Sequence, residues 1–417
     1  MTAALAAVVL YTVLGGAALA LAGIDRPALA PAAGIAVAGV VLATAATVGV
    51  EIGPVVLAIG AVVLAAIALA RRGRGHLRRP SLPALIIVAW TTLQAALAAA
   101  TPLSAFDGIV TWAFKAHALL VFGTPDSPPF DPALYPGPHP EYPILWPEIQ
   151  ATALRINGGY DDAVLRANAI AVLGCLVLGA YALLADRVGP WWSLAFLAPF
   201  AASPVVIANA SAGNADAILA GLLAITLVAT FRALTDEADA RLLPLAALFA
   251  GAAVLTKNEG LLGTVAILAA AAIVTRRRAV LYPAIAAAAV YLPWRAFRAA
   301  HDLTDPDFAA NTSHFRDRID EVPGIVATIA GRILAPSAWG LATILAVVVL
   351  ALAPGRIRTL AVVWAALLGA GLTVSYLATS LDPGARLTSN AERTTLQFVL
   401  GLLCLAALAL RRRRDSA

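Results

Sequence analysis

The apolar residues of this chain occur in long runs that are separated by short polar segments. A run of about 20 residues allows a helix to cross the apolar core of a bilayer. We predict about thirteen such helices, at residues 4–22, 29–49, 53–70, 83–101, 163–185, 190–208, 215–233, 242–256, 261–275, 279–295, 337–354, 359–379 and 395–410. The pattern therefore predicts an all-α, polytopic integral membrane protein.

The composition agrees with a membrane location. Hydrophobic residues make up 61% of the 417 residues and charged residues only 13%, which is more apolar surface than a soluble domain can bury. The net charge of +5 does not indicate nucleic-acid binding, because the basic residues cluster at the ends of the predicted helices. Cys175 and Cys404 lie in apolar runs and predict neither a disulfide framework nor a metal site.

The lysine and arginine residues predict the orientation. Basic runs at 71–79, 276–278, 356–358 and 411–414 fall on one side if the helices alternate across the membrane. Because basic loops stay in the cytoplasm, we expect a cytoplasmic C-terminus. The longer polar loops then lie outside the cell, and the short cytoplasmic loops contain no nucleotide-binding motif. Any chemistry is therefore expected on the outer face of the plasma membrane, with a donor that has already crossed the bilayer.

The first large outer loop contains a concentration of polar and aromatic side chains. Asp107 follows the fourth predicted helix, and Trp112, Phe114 and Lys115 come soon after it. A short helix at the membrane surface would present carboxylate, ring and ammonium on one face. Ionisable groups are costly at this depth, which favours a functional site. The alternative is an ordinary aromatic and lysine anchor among the lipid headgroups.

Further along this loop, prolines surround His139, Glu141 and Tyr142. Each proline fixes its own φ and restricts the residue before it, so the segment is rigid without secondary structure. A rigid loop with an aromatic ring and a carboxylate suits stacking on a sugar and hydrogen bonding to its hydroxyls. A purely structural lid is an equally good interpretation.

Two outer turns and the start of the last helix hold further charges. We expect Asp216 to cap or complement the N-terminus of its helix. Lys257 and Glu259 form either a satisfied turn or, for Lys257 together with Arg393, a cationic pocket for a lipid phosphate. Arg393 at the outer start of a helix opposes both the positive-inside bias and the helix dipole. This cost favours a function over the alternative, a local ion pair with Glu392 or another outer carboxylate.

Four motifs, in the order in which they occur along the chain, resemble those of the GT-C superfamily of polytopic glycosyltransferases. Members of this superfamily, such as mannosyltransferases and aminoarabinose transferases, use polyprenyl-phosphate sugars. The motifs are FDGIVTWAFKA at 106–116, HPEYPILWP at 139–147, TKNEG at 256–260 and SNAER at 389–393. The resemblance implies two parts, with N-terminal transmembrane helices at 1–82 and a catalytic module at 83–417. The outer loops of this module are 102–162, 296–336 and 380–394.

The resemblance further implies that Asp107 is the catalytic base and that Arg393 binds the donor phosphate. We predict an inverting transfer in which Lys257 also contacts the phosphate, because cations stabilise such a leaving group. The predicted substrate-binding residues are Trp112, Lys115, His139, Glu141, Tyr142 and Glu259. No cofactor and no metal ion are expected.

The expected partners are a polyprenyl-phosphate sugar donor, a lipid, glycan or protein acceptor and the membrane lipids, but no nucleic acid. A transporter or flippase for a lipid-linked or polar solute is the alternative. Such proteins often hold ionisable residues near the membrane midplane and contain internal repeats. In this chain the ionisable residues lie at the outer ends of the predicted helices instead.

Overall fold

The computed structural model of this chain describes residues 1–72, 80–134, 139–304, 311–353 and 355–410. Helices are the only regular elements in these ranges, which confirms the all-α prediction. The α-helices are α1 Thr2–Leu21, α2 Ala30–Thr47, α3 Pro54–Arg72, α4 Leu82–Ala99, α5 Phe114–Phe122, α6 Leu145–Asn157, α7 Asp162–Val188, α8 Pro190–Ala201, α9 Pro204–Ser211, α10 Asp216–Thr235, α11 Leu243–Val254, α12 Asn258–Thr275, α13 Leu281–Ala300, α14 Thr312–Asp317, α15 Val322–Ile333, α16 Pro336–Trp339, α17 Ala342–Ala351, α18 Gly355–Leu377, α19 Pro383–Thr394 and α20 Leu396–Ala409.

The number of helices that could span a membrane is slightly lower than predicted. The described ranges contain 11 segments of sufficient length and apolar character, or up to 12 if the pair α8 and α9, which bends by 63°, is one span. Two predicted spans are not among these segments, namely α11, which has 12 residues, and α17, which has 10. Residues 73–79 of the basic run predicted at 71–79, and the basic run at 411–414, lie outside the described residues.

One of these segments, Ile319–Trp339, lies where the sequence predicted an outer loop. Arg318 donates hydrogen bonds to the carbonyl oxygens of Thr379 and Leu381, both at 2.8 Å. Further along, Arg332 forms an ion pair of 2.8 Å with Glu392. All three partners lie in or beside the segment that joins α18 to α20, so Ile319–Trp339 runs along this end of the bundle.

The core of the bundle is built around α10, in which every residue from Asp216 to Leu234 is buried. This helix packs against α7, α11, α12 and α20. A Cβ on Gly221 would lie 2.7 Å from the Cβ of Leu176, so the absence of a side chain allows α10 to approach α7 closely. Small residues are the usual means of close helix packing in membranes.

The N-terminal helices pack against this core. A Cβ on Gly34 would lie 1.7 Å from the carbonyl oxygen of Tyr11, so α1 and α2 cross at very short range. Gly39 of α2 in turn packs against Leu145 of α6. The boundary at residues 82 and 83 stays a prediction.

Candidate active site

A polar cavity of about 470 Å³ lies at the end of the bundle where α10 and α12 begin and α18 ends. Its walls come from the segment before α5, the proline-rich loop, the two turns and α19. Seven of the nine predicted site residues line it, namely Asp107, Trp112, His139, Tyr142, Lys257, Glu259 and Arg393. The fold therefore brings together motifs that are far apart in the sequence.

Asp107 and Arg393 face each other in this cavity and form an ion pair, although 286 residues separate them in the chain. The Nη1 of Arg393 donates to Oδ2 of Asp107, and its Nη2 donates to Oδ1 of Asn390. The Asp107 side chain is 35% exposed and the Arg393 side chain 24%. Both charges can therefore be reached by a ligand in the cavity.

A π-helix, Gly108–Ala113, follows Asp107 directly. A Cβ on Gly108 would lie 1.9 Å from the carbonyl oxygen of Ala212, so only glycine permits this approach to the turn after α9. The wider π-turn changes the phase of the following side chains. The prediction that Asp107 and Lys115 share one face was therefore wrong, because Asp107 lines the cavity while Lys115 is buried beneath the proline-rich loop.

Lys257 lies between two carboxylates. Its Nζ is 2.8 Å from Oδ1 of Asp216 and 3.1 Å from Oε1 of Glu259. Burial alone would lower the pKa of Lys257, but the charges of Asp216 and Glu259 raise this pKa well above its ordinary value. Asp216 is not the N-cap of α10, because the cap position is Ala215, but its carboxylate lies in the first turn and complements the helix N-terminus as expected. This carboxylate accepts a hydrogen bond from Lys257. Asp216 also lines the cavity wall.

The ring of Tyr142 is at the centre of an aromatic stack. It lies parallel to the His139 ring at 4.3 Å between centroids and to the Trp112 ring at 5.7 Å. The ammonium groups of Lys257 and Lys115 lie 5.4 and 5.7 Å from the same ring. Burial, with the charge of Glu259, raises the pKa of the Tyr142 hydroxyl well above its usual value. The stack forms a fixed aromatic wall beside the charged residues.

The other two predicted site residues, Lys115 and Glu141, do not line this cavity among the residues that the structure describes. The Nζ of Lys115 donates to the carbonyl oxygen of His139 at 2.5 Å and to that of Tyr142 at 3.4 Å. Burial lowers the pKa of Lys115 to about 8. Lys115 thus fastens the proline-rich loop to α5.

Oε1 of Glu141 lies 3.4 Å from Nδ1 of His139. Its main-chain carbonyl accepts a hydrogen bond of 3.3 Å from Trp294 Nε1. Burial alone would raise the pKa of Glu141, but His139 and Lys115 lower it overall. The carboxylate is therefore charged, and it lines a second cavity next to the first.

The sequence interpretation missed Arg386, which lines the cavity from α19. Its Nη1 donates to the carbonyl oxygen of Ser375 at 3.0 Å and to Oγ1 of Thr379 at 2.7 Å. Its guanidinium lies 4.8 Å from the centre of the Tyr376 ring. Arg386, Asn390 and Arg393 are spaced as one face of a helix, so helical periodicity could have revealed the set.

The prediction that Arg393 opposes a helix dipole was also wrong. Arg393 lies in the last turn of α19, which ends at Thr394, and not in the first turn of α20. A cation in the last turn of a helix interacts favourably with the helix dipole. The structure therefore removes this part of the predicted cost.

The charges on the cavity wall balance. Asp107, Asp216 and Glu259 supply three carboxylates, and Lys257, Arg386 and Arg393 supply three cations. The arrangement can offer a carboxylate as proton acceptor and guanidinium groups to an anion. In the described ranges, no group of three or more His, Cys, Asp or Glu side chains is placed to hold a metal ion.

Residues 141–295 match the family model of the dolichyl-phosphate-mannose-protein mannosyltransferases. This range contains Glu141, Tyr142, Lys257 and Glu259 but not Asp107 or Arg393. A comparison with curated proteins found no match, and neither did one with solved structures. The family match supports the resemblance to GT-C glycosyltransferases that the motifs predicted, and the apolar helices of the described residues fit an integral membrane protein.

Proposed function

We propose that this protein transfers a sugar from a polyprenyl-phosphate donor to an acceptor hydroxyl, with inversion at the anomeric carbon. The observation that supports this most directly is the ion pair between Asp107 and Arg393. The resemblance selected these two residues as base and phosphate ligand, and in the structure they meet in one cavity. The name of the matched family, with its lipid-phosphate mannose donor, supports the donor class.

In the proposed reaction, the acceptor oxygen attacks the anomeric carbon from the face opposite the phosphate. The bond between this carbon and the phosphate oxygen breaks, and the electron pair leaves with the polyprenyl phosphate. Asp107 takes the proton of the acceptor hydroxyl. Arg393, assisted by Lys257, offsets the charge that develops on the leaving phosphate.

The ion pair between Asp107 and Arg393 also means that donor binding changes the contacts of the proposed base, Asp107. A donor phosphate that binds Arg393 competes with Asp107 for the same guanidinium. Donor binding therefore loosens the hold of Arg393 on the carboxylate and allows Asp107 to turn to an acceptor hydroxyl. Asn390, which also accepts from Arg393, keeps the guanidinium in place during this exchange.

The remaining predicted residues have supporting roles in this proposal. Trp112, His139 and Tyr142 form an aromatic wall on which a sugar ring can stack. Lys115 acts indirectly, because it holds the loop of His139 and Tyr142 through their carbonyl oxygens. The cavity faces the outside of the plasma membrane and the C-terminus lies in the cytoplasm, as the basic runs of the sequence predict.

The test uses purified full-length protein in nanodiscs with a panel of polyprenyl-phosphate sugars and mass spectrometry of bound lipid and product. We expect Asp107→Asn to bind the donor but to lose at least 99% of turnover, on the order of the effect of a general base. Arg393→Ala should weaken donor binding by roughly tenfold to 100-fold, because a charge-assisted hydrogen bond is lost.

Two matched controls test whether these effects are local. Asp126→Asn removes a carboxylate that is 75% exposed, and Arg332→Ala removes a guanidinium that is 42% exposed. Both variants should behave like the wild type. The proposal fails if the wild type turns over only soluble nucleotide sugars, or if Asp107→Asn retains near-normal turnover.

A further inference from the structure

A second cavity of about 240 Å³ adjoins the first. Tyr142, Glu259, Ser375 and Arg386 line both cavities and form the wall between them. The second cavity, which we call the side chamber, is also lined by Glu141 and Asn258 among others. Asp107 and Arg393 line only the first cavity. The side chamber is therefore adjacent to the proposed reaction centre but separate from its base.

The side chamber contains a buried hydrogen-bond acceptor without a donor. Glu141 is only 4% exposed, and its Oε2 accepts no hydrogen bond from another residue in the described part of the chain. The amide of Asn258 lies near its other oxygen, at 3.5 Å from Oε1. Glu259 Oε2 on the shared wall is also buried without a partner. Buried acceptors of this kind are costly unless a ligand or water supplies a donor.

The charged side chains that line the side chamber limit the kind of ligand that could donate hydrogen bonds to these oxygens. Two carboxylates, Glu141 and Glu259, face two guanidinium groups, Arg298 and Arg386, so the formal charges cancel. Both arginines already donate to the protein, Arg298 to the carbonyl oxygen of Leu303 and Arg386 to that of Ser375. An anion would meet two carboxylates, each with an unfilled acceptor oxygen, beside the two guanidinium groups. A neutral ligand with several hydroxyl groups suits these walls better.

We propose that the side chamber is a carbohydrate subsite that binds one monosaccharide ring through Glu141, Asn258 and Glu259. Hydroxyl groups of the ring donate to the carboxylate oxygens that lack a partner, and the ring lies against Tyr142. This inference rests on the proposed function, because it places a sugar of that reaction beside the reaction centre. The ring belongs either to the donor or to a glycan acceptor.

The first experiment tests the subsite without a lipid donor. Full-length protein in nanodiscs is titrated with methyl glycosides of hexoses and pentoses, and binding is followed by saturation-transfer difference NMR. At least one glycoside should bind the wild type, and Glu141→Gln and Asn258→Ala should each weaken it by about tenfold. Glu237→Gln, which changes an exposed glutamate outside both cavities, should have no effect.

The second experiment identifies the source of the ring. If it belongs to the donor, Glu141→Gln reduces the preference of the protein for a polyprenyl-phosphate sugar over bare polyprenyl phosphate. If it belongs to the acceptor, this preference is unchanged and the KM for the acceptor rises. The inference is overturned if no glycoside binds the wild type, or if both variants bind it normally. Glycoside binding that depends on Glu141, without turnover of any lipid-linked sugar, would refute the proposed function alone.

Discussion

Lys257 Nζ donates to Oδ1 of Asp216 at 2.8 Å, across 41 residues of sequence. This contact joins the start of α10 to the turn between α11 and α12, and both side chains are almost completely buried. A Cβ on Gly260 would lie 1.9 Å from the carbonyl oxygen of Ala253, so the turn itself is held at short range. The charged wall of the cavity is therefore part of the core of the bundle.

Removal of Asp216 should destabilise the protein. Asp216→Ala leaves Lys257 buried beside Glu259 alone, and the loss of one partner from a buried pair costs about 3 kcal/mol or more. Thermal unfolding in detergent should show a clear decrease in Tm. Glu237→Ala, at an exposed position, provides the control, and an equal Tm for the two variants would contradict this prediction.

Alanine at position 108 should impair activity without removing any polar group. The added Cβ would lie 1.9 Å from the carbonyl oxygen of Ala212, so the π-helix that follows Asp107 must shift. A displacement of a catalytic group by about 1 Å typically reduces turnover up to roughly 100-fold. Gly324→Ala is the matched control, because no atom lies within 4 Å of its added Cβ. Comparable turnover by both variants would show that the close contact does not position Asp107.

The stability of the protein should fall between about pH 4.5 and pH 7 because of Glu148. Burial raises the pKa of this carboxyl from 4.5 to about 7, although Arg155 lies 3.2 Å from its Oε2. In this window the folded state keeps the proton that the unfolded state releases, so the stabilising contribution is complete below pH 4.5 and is lost as the pH rises through 7.

The size of this effect is up to roughly 3 kcal/mol in the free energy of unfolding. It is measured as the difference in denaturation between the wild type and Glu148→Gln over a pH series. The variant should lack this part of the pH dependence. A constant difference from pH 4 to pH 8 would mean that Glu148 has the same pKa in both states.

The proposed orientation can be tested by cysteine labelling. Cys175 and Cys404 are buried, so they give little background with a maleimide that cannot cross membranes. Ala133→Cys and Ala240→Cys each place a thiol at an exposed position. In intact cells the reagent should label Ala133→Cys only, and after lysis it should label both. The reverse result in intact cells would overturn the predicted orientation.

The sequence was sufficient to predict the class of fold, because long apolar runs allow few structures other than membrane helices. It was less reliable for spans such as α11 and α17, whose apolar runs continue past the helix ends. The family motifs selected residues that meet in one cavity. They could not reveal that Asp107 pairs with Arg393 or Asp216 with Lys257, because these contacts depend on the packing of distant helices. The substrate-binding role of Lys115 stays a prediction, and its contacts with the carbonyl oxygens of His139 and Tyr142 leave no clear pattern in the sequence.

The separation of 286 residues between Asp107 and Arg393 also sets the order in which the cavity is made. A chain is synthesised from its N-terminus, so α4 and the segment of Asp107 enter the membrane long before α19 leaves the ribosome. Before α19 is inserted, Asp107 cannot pair with Arg393, and the part of the cavity wall that contains Arg386 is missing as well. The cavity is therefore completed only after α19 has been inserted, and a chain without α19 has only part of the cavity wall.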